Sequence, residues 1–321
     1  MSSLFPLSPS PVEEFNFAGH RLLVKRDDLL HPQFSGNKAR KFAWFLEHDF
    51  PGVKRLIGHG SAQANSLYSM AALARLKGWH LQFYVDHISE HLRLNPCGNF
   101  KAALALGAEL IELGAQARRE GMNLESYLQQ HLVPTLGQDC LFVPEGGRCG
   151  YAEYGVAALA REIAEYAATN GIAELKLMLP SGTGTTALFL NKYFAEQGLD
   201  IQVLTCALVG DDNYLKAQFA GLGAQERHFP TILSPGRKYH FGKCYREFFE
   251  IWLALEKTGT QFELLYDPLA WLLLLDYMDA HPDARVLYLH QGGLLGNESM
   301  LPRYVRKFPE LAHAAGLSLE R

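Results

Sequence analysis

"ELKLMLPSGTGTTALFLNKYFAEQGL" (174–199) holds an apolar run, a glycine-rich turn and a helical pattern in immediate succession. A strand feeding a helix reads this way, and the unit recurs along the chain. Upstream, "RLIGHG" (55–60) leads to "LYSMAALARLKGW" (67–79), and "HLQFYVD" (80–86) leads through a loop to a helical pattern in "NFKAALALGAELIEL" (99–113). "CLFVPEGG" (140–147) precedes "EYGVAALAREIAEYAATNG" (153–171), whose helical spacing ends at Asn-Gly. Downstream, "IQVLTCALVG" (201–210) and "RVLYLHQGG" (285–293) are apolar runs that end in glycine. Strands alternating with helices predict the α/β class, with parallel sheets covered on both faces.

Bulk properties narrow the function. Domains run to roughly 100–200 residues, so 321 residues predict two. The composition, 48% hydrophobic and 20% charged, is that of a globular chain able to bury a core without metal or disulfide staples. A net charge of −4 gives no footprint for nucleic acid or an anionic membrane. Five scattered cysteines with no C-x-x-C pair read as thiols in a reducing compartment. The start "MSSLFPLSPSPVEEF" (1–15) has no basic, apolar leader pattern, and the densest apolar run, Leu269–Leu275, is too short to span a bilayer. Together these predict a cytoplasmic protein.

Ligands of open α/β sheets sit beyond the carboxyl ends of the strands. Four unusual segments fall there: "GHGSAQANS" (58–66), "EGGRCG" (145–150), "SGTGTT" (181–186) and "HQGG" (290–293). In the third, free N–H groups and the positive dipole end of the following helix suit a phosphate dianion. Ser181, Thr183, Thr185 and Thr186 add hydroxyl donors, and Gly182 and Gly184 let the backbone come close. Gly182, Gly184 and Ala187 also satisfy the G-x-G-x-x-A spacing of a dinucleotide fold, the basis for a dehydrogenase alternative. That fold wants an acidic residue about 20 residues on, at the end of the next strand. Asp200 precedes that strand and Asp211 and Asp212 come late, so the fit is poor.

"VKRDDLLHPQFSGNKARKFAWFL" (24–46) places Lys38 near the start of a helical pattern whose stripe is Phe42, Phe45 and Leu46. An amine partly desolvated there would have a lowered pKa, as imine-forming lysines need, whereas the segment taken alone reads more simply as carrying a surface lysine. The segment resembles the cofactor-lysine motif of the 1-aminocyclopropane-1-carboxylate deaminase and D-cysteine desulfhydrase family. Members carry K-R-D-D and then G-N-K-x-R-K, matched by Lys25–Asp28 and Gly36–Lys41. "GSAQANS" resembles the family's Q-S-N stretch, "GNFKAALALGAELIE" its G-N-x-x-L…G-A-E segment, and "VPEGG" its P-x-G-G turn. "SGTGTT" stands where the family has its phosphate loop, and "LHQGG" resembles H-T-G-G. The matches run in family order across roughly residues 20–295.

The resemblance implies fold type II of the pyridoxal phosphate enzymes: two open twisted-sheet domains with the cofactor in the cleft between them. Residues 1–52 plus 166–321 would form the large cofactor-binding domain and 53–165 the small one. Lys38 would hold pyridoxal phosphate as an imine and serve as a base at the substrate Cα. Asn65 would bond the 3′-oxygen, and Ser181, Gly182, Thr183, Gly184, Thr185 and Thr186 the phosphate. Ser61, Gln63 and Ala64 would meet the substrate, and Tyr239 would keep an aromatic role near the cofactor. The implied activity is a lyase or deaminase acting on a small amino acid, in a homodimer.

Three departures predict altered substrate chemistry or a cofactor-binding protein with little turnover. The family serine between Gln and Asn is Ala64, with Ser61, Ser66 and Tyr68 as nearby hydroxyls. Its D-P-V-Y is matched to Asp267-Pro268-Leu269-Ala270, which lacks the tyrosine. The threonine expected at the pyridine nitrogen is Gln291. Elsewhere, His87–His91 matches H-x-x-E-H but reads as a loop, so no metal is expected. The sequon at Asn297 has no role in a cytoplasmic protein. Cys149, beside Arg148, is a candidate for a lowered pKa. No G-x-S-x-G supports a serine hydrolase.

Overall fold

The computed structural model describes residues 9–34 and 36–318, so the first eight positions of the stretch read as lacking a leader lie outside it. The chain opens on an antiparallel hairpin, β1 (Val12–Phe17) and β2 (His20–Arg26), then forms helix α1 (Gly36–Glu47). A four-stranded unit follows: β3 (Arg55–Gly60), α2 (Asn65–Lys77), β4 (His80–Val85), the short α3 (Glu90–Leu94) and α4 (Gly98–Ala105). It continues with β5 (Glu109–Glu112), α5 (Gly114–Arg119), α6 (Leu124–Tyr127) and β6 (Cys140–Val143). Its strands lie in the order β5-β4-β3-β6, all parallel.

After α7 (Ala152–Thr169) come β7 (Leu175–Ser181), α8 (Thr185–Glu196), β8 (Ile201–Ala207), α9 (Asp212–Gly221) and β9 (Thr231–Ile232). The chain closes with α10 (Arg246–Glu256), α11 (Asp267–Ala280), β10 (Val286–His290), α12 (Asn297–Lys307) and α13 (Pro309–Ala314). The large sheet is ordered β1-β2-β10-β7-β8-β9 and is parallel except for β1. Side chains alternate across a strand, so successive residues feed two cores. Leu23, Leu177, Val203 and Leu287 pack under α7 and α8, while Val24, Met178, Leu204 and Tyr288 pack under α10 and α11. α1 sends Phe42 and Phe45 into the core of the small sheet, with Leu56, Leu67 and Phe83.

The expected strand–helix units hold, with one correction. The helical reading of 99–113 stops at Ala105, and Glu109–Glu112 turns out to be strand β5. Gly107, with φ of +87°, takes a conformation that a helix interior does not accept. His87–Ser89 is loop and α3 begins at Glu90, capped by the Ser89 side chain. The run Leu269–Leu275 lies on α11, and among the described residues no helix is long and apolar enough to cross a membrane.

Candidate active site

In each sheet the strand order reverses, which leaves a crevice at the carboxyl ends of neighbouring strands. In the large sheet β7 connects forward to β8 while β10 lies on its other side; in the small sheet β3 lies between β4 and β6. Both crevices open on one cavity of about 460 Å³. Lys38, Ser61, Gln63, Ala64, Asn65, the loop Ser181–Thr186 and Gln291 all line it. Tyr239 and Tyr68 do not. Tyr239 packs on Tyr245 and Phe248, and its hydroxyl donates to Glu247 at 3.0 Å.

Lys38 owes its position to the K-R-D-D segment. At Gly36 a Cβ would fall 2.3 Å from the Asp27 carbonyl oxygen, so only glycine lets α1 start against that backbone. Asp27 in turn accepts from Arg40 Nε (3.0 Å) and Nη2 (2.9 Å) and from the Ser10 hydroxyl (2.5 Å). Glu162 on α7 completes the group. It takes Arg40 Nη1 at 2.5 Å and Nη2 at 2.8 Å, and Lys25 Nζ at 2.6 Å. Arg40 and Asp27 are each only 1% exposed, and this burial is tolerable because every charge is met. Arg26 and Asp28 pair with each other beside it.

On the cavity side of α1, Lys38 is 8% exposed and its amine donates to Asn37 Oδ1 at 3.2 Å. Burial lowers its pKa to about 8, against a smaller opposing pull from the charge of Glu145. Lys41 also faces the cavity. Burial and the neighbouring Lys38 charge push it well below the usual lysine value, and among the described residues no carboxylate pairs with it. A Cβ at Gly146 would lie 4.0 Å from Lys41 Nζ and 3.2 Å from Thr183 Cγ2, so this amine sits beside the glycine-rich loop.

The loop is shaped for an anion. Gly184 caps α8 with φ of +70°, and a Cβ there would fall 2.4 Å from the Phe219 ring. Ser181 is bonded to Thr205 (2.6 Å) and Thr183 to Thr185 (3.0 Å), while the buried Thr186 hydroxyl has no partner. An orphaned hydroxyl, free N–H groups at a helix start and an unpaired buried lysine fit the phosphate of pyridoxal phosphate. The amine of Lys38 fits its aldehyde. The dinucleotide alternative gains nothing: Asp211, past the end of β8, is occupied capping α9 through the Tyr214 N–H.

Asn65 accepts from Asn99 Nδ2 at 2.8 Å. Gln291 donates its amide to the Pro180 carbonyl at 2.8 Å, tying the end of β10 to β7. Ala64 caps α2 in extended conformation without a side-chain bond. Cys149 departs from expectation, because burial raises its thiol pKa, a larger effect than the lowering by Lys41.

Sequence reasoning also missed Tyr266, Tyr214, Glu145 and Glu263, all of which line the cavity. Tyr266 lies against Gly182, where a Cβ would be 3.5 Å from its hydroxyl. A signal existed. Setting D-P-V-Y against Glu263-Leu264-Leu265-Tyr266, four residues ahead of the literal Asp-Pro, ends on this tyrosine. Glu263, 2% exposed, accepts the N–H groups of Leu265 (2.8 Å) and Tyr266 (2.5 Å) on one oxygen, while the other has no partner. Burial and the adjacent Asp267 push its pKa well up.

No family model matches the chain. A putative 1-aminocyclopropane-1-carboxylate deaminase of Pyrococcus horikoshii is 23% identical over 295 residues, covering 87% of this chain and 86% of that one. D-cysteine desulfhydrase of Serratia proteamaculans is 27% identical over 194 residues, 56% of each chain. Among solved structures, an ACC deaminase homologue superposes with a TM-score of 0.71 at 20% identity, covering 96% of this chain and 95% of that one. A hydrogen sulfide-producing enzyme from Fusobacterium nucleatum gives 0.62 at 15%, covering 90% and 97%. In sequence along most of its length and in its two-sheet fold, the chain resembles the 1-aminocyclopropane-1-carboxylate deaminase and D-cysteine desulfhydrase family, whose cofactor is pyridoxal phosphate.

Proposed function

We propose that the protein is a pyridoxal phosphate-dependent lyase or deaminase acting on a small amino acid. The observation that carries this is the convergence of a buried, partly neutral lysine and an anion loop on one cavity, although they lie in different parts of the chain. The bound cofactor would supply an electron sink for the pair left when a bond at the substrate Cα breaks. Lys38 would hold it, and its amine is the group placed to take the Cα proton. Ser181–Thr186 and Lys41 would hold the phosphate, and Asn65 would bond the ring's 3′-oxygen. Ser61 and Gln63 orient the substrate carboxylate, and Tyr266 closes the wall beside Gly182. The division expected from the sequence, residues 1–52 plus 166–321 against 53–165, is kept in this reading except at its second boundary. The packing of α7 under the large sheet argues for moving the second boundary ahead of Ala152. A homodimer and a cytoplasmic location belong to the same proposal.

Adding pyridoxal phosphate should give a visible absorbance that Lys38→Ala abolishes, and borohydride should fix the cofactor on Lys38 by mass. Absence of the band in the unsubstituted protein would reject the reading. D-cysteine, L-cysteine, β-chloroalanine and 1-aminocyclopropane-1-carboxylate, assayed for pyruvate or ketobutyrate, then identify the substrate. Ala64 favours a second reading, a cofactor-binding protein with little turnover. An intact band with no product from the panel selects it.

A further inference from the structure

The carboxyl ends of β3 and β6 are side by side, so Ser61 and Glu145 enter the cavity together. Glu145 opens a turn whose next residues, Gly146 and Gly147, have φ of +67° and +73°. The turn is wedged in place. A Cβ at Gly147 would lie 2.9 Å from the Phe42 ring of α1, and one at Gly146 3.2 Å from Thr183 of the glycine-rich loop. On the third side, the Glu145 N–H donates to Nε2 of His59 at 3.2 Å, and Oε1 lies 3.1 Å from the Cβ position at Gly60. This fixed backbone delivers a carboxyl to the cavity wall of the small sheet, within electrostatic reach of Lys38 on the same cavity.

Among the described residues the carboxyl takes no hydrogen bond and no ion pair. The charges around it are Glu125 and Arg148, which pair with each other, and Lys38. Burial and Glu125 raise its pKa, and Arg148 and Lys38 pull it back. A carboxyl pushed up and an amine brought down to about 8 on one cavity have their proton affinities drawn toward each other, which eases the passage of a proton between them. The same wall carries Ala64, which offers no proton.

We propose that Glu145 is a further catalytic residue: the acid that gives a proton to the group leaving the substrate's β-carbon. The assignment rests on the lyase reading above. With a cysteine, Lys38 takes the Cα proton and the freed pair becomes the Cα–Cβ double bond. The Cβ–S bond breaks with its pair on sulfur, and Glu145 donates the proton that lets hydrogen sulfide depart. Lys38 is left as an ammonium and Glu145 as a carboxylate, and passage of one proton from the first to the second resets both.

Leaving groups separate the possibilities. Sulfur, the more basic leaving group, gains from the proton, whereas chloride gains nothing from one. In the holoenzyme, Glu145→Gln should slow elimination from D- or L-cysteine about 100-fold, and elimination from β-chloroalanine by a few-fold at most. Equal losses on both substrates, or no loss on either, overturn the role of Glu145 and leave the lyase reading standing. No elimination from any of them by the unsubstituted holoenzyme overturns the lyase reading itself, and this role with it. A second readout needs no turnover. In the cofactor-free chain Lys38 carries its own charge and pulls the Glu145 pKa down, so in the pH range where Glu145 is ionised Glu145→Gln removes the charge that offsets the burial of Lys38, while the neighbouring cation Lys41 remains. The Lys38 amine should then titrate at lower pH, followed by pH-dependent acylation located by mass. An unmoved titration puts the carboxyl out of reach of the lysine and overturns the assignment.

Discussion

The two sides of α1 treat buried charge in opposite ways. Toward β2 and α7, the Arg40 guanidinium meets two carboxylates, and Lys25 meets one of them as well. Toward the cavity, Lys38 and Lys41 on the same helix have no carboxylate within ion-pairing distance among the described residues, and one oxygen of Glu263 has no donor. Burying a charge unpaired costs several kcal/mol. A chain that satisfies one face of a helix this fully has no structural need to leave the other unmet. The unmet face is where a ligand supplies what is missing: an anion for Lys41, an aldehyde for Lys38.

Substitutions on each side sharpen this contrast. Arg40→Met should cost the largest amount, about 3–5 kcal/mol, because Asp27 and Glu162 lose their main partner. Denaturant midpoints measure it, and a loss under about 1 kcal/mol would mean the network supports nothing. Lys38→Met should act in the opposite direction, stabilising the cofactor-free chain by on the order of 2–3 kcal/mol at pH 7. The folded-state pKa of Lys38, about 8, lies below its unfolded value, so the folded chain binds fewer protons between the two. Its stability therefore rises as pH climbs through that window, and the gap to the methionine variant should close near pH ~10. A gap independent of pH would show an amine already in water. Glu263→Gln should do least, under about 1 kcal/mol, since burial and Asp267 push its carboxyl toward the neutral form and an amide oxygen can accept the same two N–H groups. A loss of several kcal/mol would reveal an ionised carboxylate.

Much of this was legible in the sequence because it is local. Apolar runs located β3, β4, β6, β7, β8 and β10, all but β4 running into a glycine-bearing turn, and the anion loop and Lys38 each announce themselves within a few residues. The hairpin β1–β2 escaped because its outer strand alternates with charged, solvent-facing residues such as Glu13 and Glu14. Tyr266 escaped because the literal Asp-Pro at 267–268 drew the motif, and only the fold brings the tyrosine just ahead of it to the cavity. Glu145 and Lys41 became site residues only through contacts among α1, the turn after β6 and the loop after β7, which no periodicity encodes. The role of K-R-D-D was hidden for the same reason, since its partner Glu162 lies on α7.

The double attachment of α1 has a mechanical consequence. Its aromatic residues lie in the core of the small sheet, but its charged face is bolted through Asp27 and Glu162 to β2 and α7, beside the large sheet. Apolar surfaces can slide at modest cost, whereas separating buried ion pairs is expensive. If the cleft widens to admit an amino acid, α1 stays with the large sheet and the small sheet gives way. The anchor points at Lys38 and Ser181–Thr186 then keep a constant spacing, while Ser61 and Gln63 swing in and out like a jaw around a fixed bite.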